Sequence, residues 1–285
     1  MSHVDHFSYG LLTPVLAYAM SSVGCVLGLL LTAKARATGG VARARWLAGG
    51  ALSIGGTGVW VMHFVAMMGF AVGGGQIRYD VPLTVGSAVL AVVVVGAGLF
   101  LVSQRGERPL SLLSGGVLTG LGVAGMHYVG MFAMNMSARV SYDLSLVGVS
   151  VLIAIAASTV ALWFTLRVSG ALATGGAALI MALAVCGMHY TGMFALEVRP
   201  LISPTPVEGA RGVDFMLPTL ALVGLLTLGL LLAVILSPSQ RELENDAALL
   251  ARLESRRDED RLREPVVPPP APAPRGPSLF DSRER

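Results

Sequence analysis

The sequence predicts an all-α integral membrane protein with seven transmembrane helices, built as three parallel two-helix repeats followed by a seventh helix. Three observations predict it. First, the 285 residues are 54% hydrophobic and 13% charged, with a mean hydropathy of +0.72, too apolar for a chain that stays in water. Second, apolar runs of about 20 residues, the length that crosses a bilayer as a helix, recur near 9–31, 46–71, 82–103, 111–135, 144–167, 172–196 and 215–236. The runs are continuous rather than alternating, which excludes the short strands of a membrane barrel. Third, VWVMHFVAMMGFA (59–71), VAGMHYVGMFAM (123–134) and VCGMHYTGMFAL (185–196) each read Met-His-aromatic-x-(Ala/Gly)-Met. Their histidines, His63, His127 and His189, are 64 and 62 residues apart, a fixed period that marks an internal repeat.

Four segments follow in chain order. Residues 1–8 form an N-terminal tail with no basic stretch ahead of the first apolar run, and that run is too long for a signal peptide, so no cleavage is expected. Residues 9–236 form the seven-span domain. Residues 237–264 read as a charged helix, with Leu243, Leu250 and Leu253 at helical spacing, and residues 265–285 as a Pro-rich disordered tail. Each repeat makes two crossings, so the three copies share one orientation about an axis along the membrane normal.

Basic residues set that orientation. Lys34, Arg36, Arg43 and Arg45 in the first loop, Arg105 and Arg108 in the third, Arg167 at the fifth and nine arginines after residue 236 make 16 on one side. Arg78, Arg139, Arg199 and Arg211 make 4 on the other. The positive-inside rule then puts the N-terminus outside and the C-terminus in the cytoplasm of a plasma membrane. The net charge of +3 reflects this topology and the lipid bilayer, and calls for no nucleic acid.

Each histidine sits on the second helix of its pair, about eight residues from the outer end, or roughly 12 Å of helix. The three imidazoles therefore share one depth and can converge on the axis. Ionisable or ligating side chains inside a bilayer are expensive and mark function by default. Met67, Met131 and Met193 follow the histidines by four residues and share their face. Met62, Met126 and Met188 precede them and are rotated about 100° away. Imidazole with thioether suits copper, and thioether favours Cu(I), whereas zinc prefers thiolate, imidazole or carboxylate. Cys186 stands three residues before His189, on roughly the same face, and could join this set. Against this stands the ordinary use of methionine as a core filler and of histidine as a packing residue between helices, copied by duplication.

Absences narrow the field. Lys34 is the only lysine and lies in a loop, which excludes a retinal Schiff base. Every Asp and Glu falls in loops, tails or at a span end, so no carboxylate relay of the proton-pump kind is present. No phosphate-binding loop, nucleophile elbow or metalloprotease motif occurs, and no enzyme is expected. Tyr79-Asp80, Tyr142-Asp143 and Asp214 precede the next spans, where Asp reads as a helix N-cap. Cys25 and Cys186 read as buried hydrophobes rather than disulfide partners.

Through its three motif copies the chain resembles the MHYT domain family of bacterial membrane sensor proteins over roughly residues 8–237. Copy three is the full Met-His-Tyr-Thr, copy two ends in Val129, and copy one reads Met-His-Phe-Val. The resemblance implies copper bound by Met62, His63, Met67, Met126, His127, Met131, Met188, His189 and Met193 near the outer face, and sensing of O2, CO or NO. Many relatives fuse the domain to cyclic-di-GMP modules or kinases; this chain is expected to act in stand-alone form, signalling to a separate partner through its cytoplasmic tail. The rival readings are copper transport or delivery, for which Met20, Cys25 and Met181 are scattered candidate ligands towards the cytoplasm; haem ligation; and a structural membrane protein.

Overall fold

A computed structural model describes residues 4–73, 75–106, 108–200, 206–237, 245 and 248–257. Among them are seven helices long and apolar enough to cross a membrane: α1 (Leu12–Arg36), α2 (Gly40–Met67), α3 (Val81–Arg105), α4 (Pro109–Phe132), α5 (Leu144–Arg167), α6 (Ala171–Phe194) and α7 (Gly212–Leu236). Helices α1 to α6 close into a ring in chain order, each against its two neighbours and α6 against α1. The histidine-bearing α2, α4 and α6 are alternate members of that ring. Helix α7 stands outside it, against α1 and α2.

Short strands gather at the histidine end of the bundle. β1 (Val4–Asp5) pairs with β2 (Ala71–Val72), β3 (Arg78–Tyr79) with β4 (Met134–Asn135), and β5 (Ala138–Tyr142) with β6 (Leu196–Pro200), all antiparallel. Each ladder joins the strand before a repeat's first helix to the strand after its second. β7 (Ala210–Arg211) adds to β3. One further bond recurs in each copy: Ser8, Asp80 and Asp143 donate their backbone N–H to the carbonyls of Gly69, Ala133 and Ala195, at 2.8, 2.9 and 2.9 Å. Those carbonyls all lie six residues after the histidine, so the threefold relation extends from helices to single bonds.

The Asp residues cap as expected at two of three sites. Asp80 Oδ1 accepts from the Leu83 N–H at 2.9 Å, and Asp143 Oδ1 from Ser145 and Leu146 at 2.8 and 3.4 Å. Asp214 instead pairs with Arg211, with Nε to Oδ2 at 2.7 Å and Nη2 to Oδ1 at 2.9 Å.

The first loop is shorter than the hydropathy implied. Helix α1 runs to Arg36 and α2 starts at Gly40, so Lys34, Arg36, Arg43 and Arg45 ride on helix ends. A long side chain at a helix end can keep its apolar stem on the helix while its charged head reaches a polar partner, and three of the four heads do so. Arg36 donates to Thr165 O and Val168 O, Arg43 to Ser103 Oγ and O, and Lys34 Nζ to Ser237 O at 3.1 Å.

Beyond Ser237 the described residues are 245 and 248–257, all helical and exposed. The Pro-rich 265–285 lie outside the described residues.

Candidate metal centre

Helix α2 reaches the centre through a π-helical segment, Leu52–Val61, directly before Met62. Widening a helix turn frees backbone groups, and side chains from α1 meet this one. Ser21 Oγ donates to Gly58 O at 2.7 Å, and Ser53 Oγ returns the bond to Gly24 O at 2.8 Å. Gly24 lies against the Gly58 backbone with no room for a Cβ, which sets α1 and α2 at close range.

The three imidazoles converge. His63 and His189 place their Nδ1 atoms 2.9 Å apart, and His127 Nδ1 lies 3.1 Å from His63 Nδ1. Ring centroids are separated by 4.9, 4.9 and 5.1 Å, with interplanar angles of 74°, 78° and 89°, an edge-on triangle. All three side chains are fully buried. Among the described residues they form the group of His, Cys, Asp and Glu that could hold a metal ion, with ligand atoms within 4.8 Å of one another. Cys186 is not in this group, and both cysteines are unpaired thiols.

Each Nε2 is buried and has no hydrogen-bond partner among the described residues. Those of His63 and His127 lie against the following copy. A Cβ on Gly130 would collide with His63 Nε2, and one on Gly192 with His127 Nε2. The same position in copy one is Ala66, also buried. The small residue three places after His127 and after His189 is therefore the wall against which the preceding copy's imidazole rests.

Three neutral imidazoles do not satisfy this geometry by themselves. His63 Nδ1 has two Nδ1 neighbours but carries either one proton or one lone pair. A cation at the centre engages three lone pairs at once. His63, His127 and His189 would hold such a cation, with two of the Nδ1 separations at 2.9 and 3.1 Å and all ligand atoms within 4.8 Å of one another.

All six motif methionines are buried: Met62, Met67 and Met126 completely, Met131, Met188 and Met193 to within 3%. Tyr128 and Tyr190 set their rings edge-on to His127 and His189, at 4.9 and 5.0 Å. Tyr128 Oη lies 2.6 Å from Ser150 Oγ, Thr191 Oγ1 donates to Gly187 O on its own helix at 2.8 Å, and Phe64 packs between Trp60 and Tyr79.

On the basic side of the triad lies an apolar cavity of about 40 Å³, whose lining includes Cys25, Met181 and Met188. Met20 is not among its lining residues. On the strand side lies an opening of about 650 Å³ whose lining includes Met131, Met134 and Met136. The last two were not singled out in the sequence. The signal was there in the offsets: seven and nine residues after the histidine, copies one and three carry Phe70 and Val72, Leu196 and Val198. The N-terminal strand covers part of this end, with His6 packed on Phe70 and Phe194 and Phe7 on Tyr190.

Comparison with known proteins settles the lineage. Residues 56–115 and 120–178 match the MHYT family, described as a bacterial signalling protein N-terminal repeat. The chain belongs to the MHYT family. The MHYT repeat starts on the histidine-bearing helix, and the matched segments contain His63 and His127. The chain is 41% identical over 214 residues to the bifunctional diguanylate cyclase/cyclic di-GMP phosphodiesterase MucR of Pseudomonas aeruginosa, covering 72% of this chain and 30% of that protein. It is 33% identical over 208 residues to the signaling protein YkoW of Bacillus subtilis, covering 70% and 25%, and 36% identical over 165 residues to the cyclic di-GMP phosphodiesterase NbdA of P. aeruginosa, covering 56% and 21%. The chain thus spans less than a third of the length of these relatives. No solved structure matches it. Seven apolar helices and MHYT membership make it a multi-pass membrane protein of a signalling family.

Proposed function

We propose that the protein is a copper-binding membrane sensor, acting through a partner rather than as an enzyme. The observation that carries this is the convergence of three Nδ1 atoms in a buried pocket without a carboxylate or thiolate. The cost of burying an ion grows with the square of its charge, and unpaired buried charge is severely penalised. Neutral imidazoles and thioethers therefore suit a monovalent ion, and soft ligands select Cu(I). His63, His127 and His189 would hold it, with Met62, Met67, Met126, Met131, Met188 and Met193 supplying the surrounding thioethers. Copper(I) held there would supply a centre able to bind O2, CO or NO.

Sixteen basic residues against four orient the triad towards the outside of a plasma membrane. The signal would leave through the cytoplasmic tail to a signalling partner, in keeping with the cyclic-di-GMP enzymes MucR and NbdA to which the chain is similar. Imidazoles packed at 4.9 to 5.1 Å leave no slot for a porphyrin plane, which argues against haem. The test is metal content of untagged protein by mass spectrometry beside the His63→Ala/His127→Ala/His189→Ala variant. Near-stoichiometric copper in the parent and none in the variant is expected; equal copper in both overturns the assignment.

A second reading, copper transport or delivery, is favoured by one observation: Cys25, Met181 and Met188 line a single cavity directly on the basic side of the triad. Uptake of radiolabelled copper into proteoliposomes separates it from sensing.

A further inference from the structure

The threefold relation breaks at one place on the strand end, and it breaks to methionine. At the seventh and ninth residues after the histidine, copies one and three carry branched or aromatic side chains and copy two carries Met134 and Met136. Alternate residues of an extended segment share a face, so the two replacements act together. Both line the 650 Å³ opening, and so does Met131, the residue one helical turn beyond His127. Asn135 Nδ2 donates to Glu208 O at 3.0 Å and holds the 206–208 segment across this opening. Among the described residues its lining includes two carboxylates, Asp80 and Glu208, and no Lys or Arg; Arg78, paired with Asn135, turns its guanidinium to Gly209 O at 3.1 Å.

A methionine filling a core gap needs no opening and no charge beside it. Here three thioethers border a space large enough for solvated ions, with carboxylates at its edge. Thioethers favour Cu(I) over harder cations, and a cleft lined by one sign of charge concentrates ions of the other.

We propose that this opening is a loading site for a soft monovalent cation, Cu(I), ligated by Met131, Met134 and Met136. Asp80 and Glu208 draw the cation in, and Met131, buried between the opening and His127, hands it to the triad. The metal keeps its oxidation state throughout, so the transfer is an exchange of ligands. The binding step stands on the opening alone; the hand-over rests on the triad being a metal site.

Ag(I) serves as the probe, in the full chain in nanodiscs with [13C-methyl]methionine. Its addition is expected to shift the Met134 and Met136 methyl resonances both in the parent and in the triple histidine variant. The Met134→Leu/Met136→Leu variant, a volume-conserving change that copies Leu196 of copy three, is expected to fill the triad to the parent's level but about tenfold more slowly, the scale on which lost supporting ligands act. Unmoved Met134 and Met136 resonances while other methionines shift, or parental loading rates in the double variant, overturns the proposal. Shifts at Met134 and Met136 together with undiminished metal in the triple histidine variant would overturn the triad assignment and leave the loading site standing.

Discussion

Gly130 rests against Nε2 of His63 so closely that an added Cβ would overlap the ring. The contact joins copy two to copy one, and Gly192 repeats it against His127. Gly130→Ala or Gly192→Ala must push an imidazole off the centre. Overpacking of this kind costs about 1–3 kcal/mol, and the expected result is a lowered thermal midpoint with loss of most bound metal. Gly176→Ala, where a Cβ meets nothing within 4 Å, is the control and should leave both unchanged.

The capping carboxylates give a second expectation. Asp80→Ala removes an N-cap and should destabilise the protein by about 1 kcal/mol, read as a shift in unfolding. Asp143 offers a pH test instead. Its carboxyl is held below the ordinary value of 3.8 by the Ser145 hydroxyl and the N–H groups of Ser145 and Leu146. Its cap is complete above 3.8 and lost as pH falls through the lowered value. Amide exchange at Leu146 should quicken in that acid range in the parent and show no such step in Asp143→Asn.

His6 makes the N-terminal strand pH-dependent. Burial against Phe70 and Phe194 lowers its pKa from 6.5, while the neighbouring Asp5 pulls it up. The folded strand thus favours neutral imidazole; its docking is complete above 6.5 and weakens as pH falls from there towards the lowered value. Hydrogen exchange across the β1–β2 pair should speed up below pH 6.5 in the parent, and His6→Phe should remove that dependence.

Cys25 tests the transport reading. In Cys25→Ala/Met181→Leu the cavity loses two soft side chains while the three histidines stay in place. If the cavity carries copper onward, uptake into proteoliposomes should fall about tenfold while metal content holds. A parent with no uptake removes that reading.

The seven spans were legible because about 20 apolar residues in a row can do little else, and the triad because His63, His127 and His189 recur at one depth. The strand ladders were not. Two-residue strands such as Ala71–Val72 carry no periodicity of their own and arise from the threefold closure. Arg43 and Arg45 looked like loop residues because hydropathy counts their charge and not their stems. The role of Gly130 was hidden for another reason: a small residue on a helix reads alike whether it meets a helix or an imidazole. Cys25 is far in sequence from Met181 and Met188, and only the closed ring of helices brings it to their cavity.

The two kinds of contact in the bundle run in different directions. Three strand ladders fasten each repeat to itself, over 4–72, 78–135 and 138–200, and only β7 crosses to β3, while His63 and His127 lean on the next repeat. The protein is in effect a cyclic trimer threaded onto one polypeptide, whose threads are the short links at 73–77 and 136–137. Cutting those links costs no helix and no ladder bond. Three co-expressed fragments should therefore find one another in the bilayer, and any two alone would bring only two imidazoles to the axis.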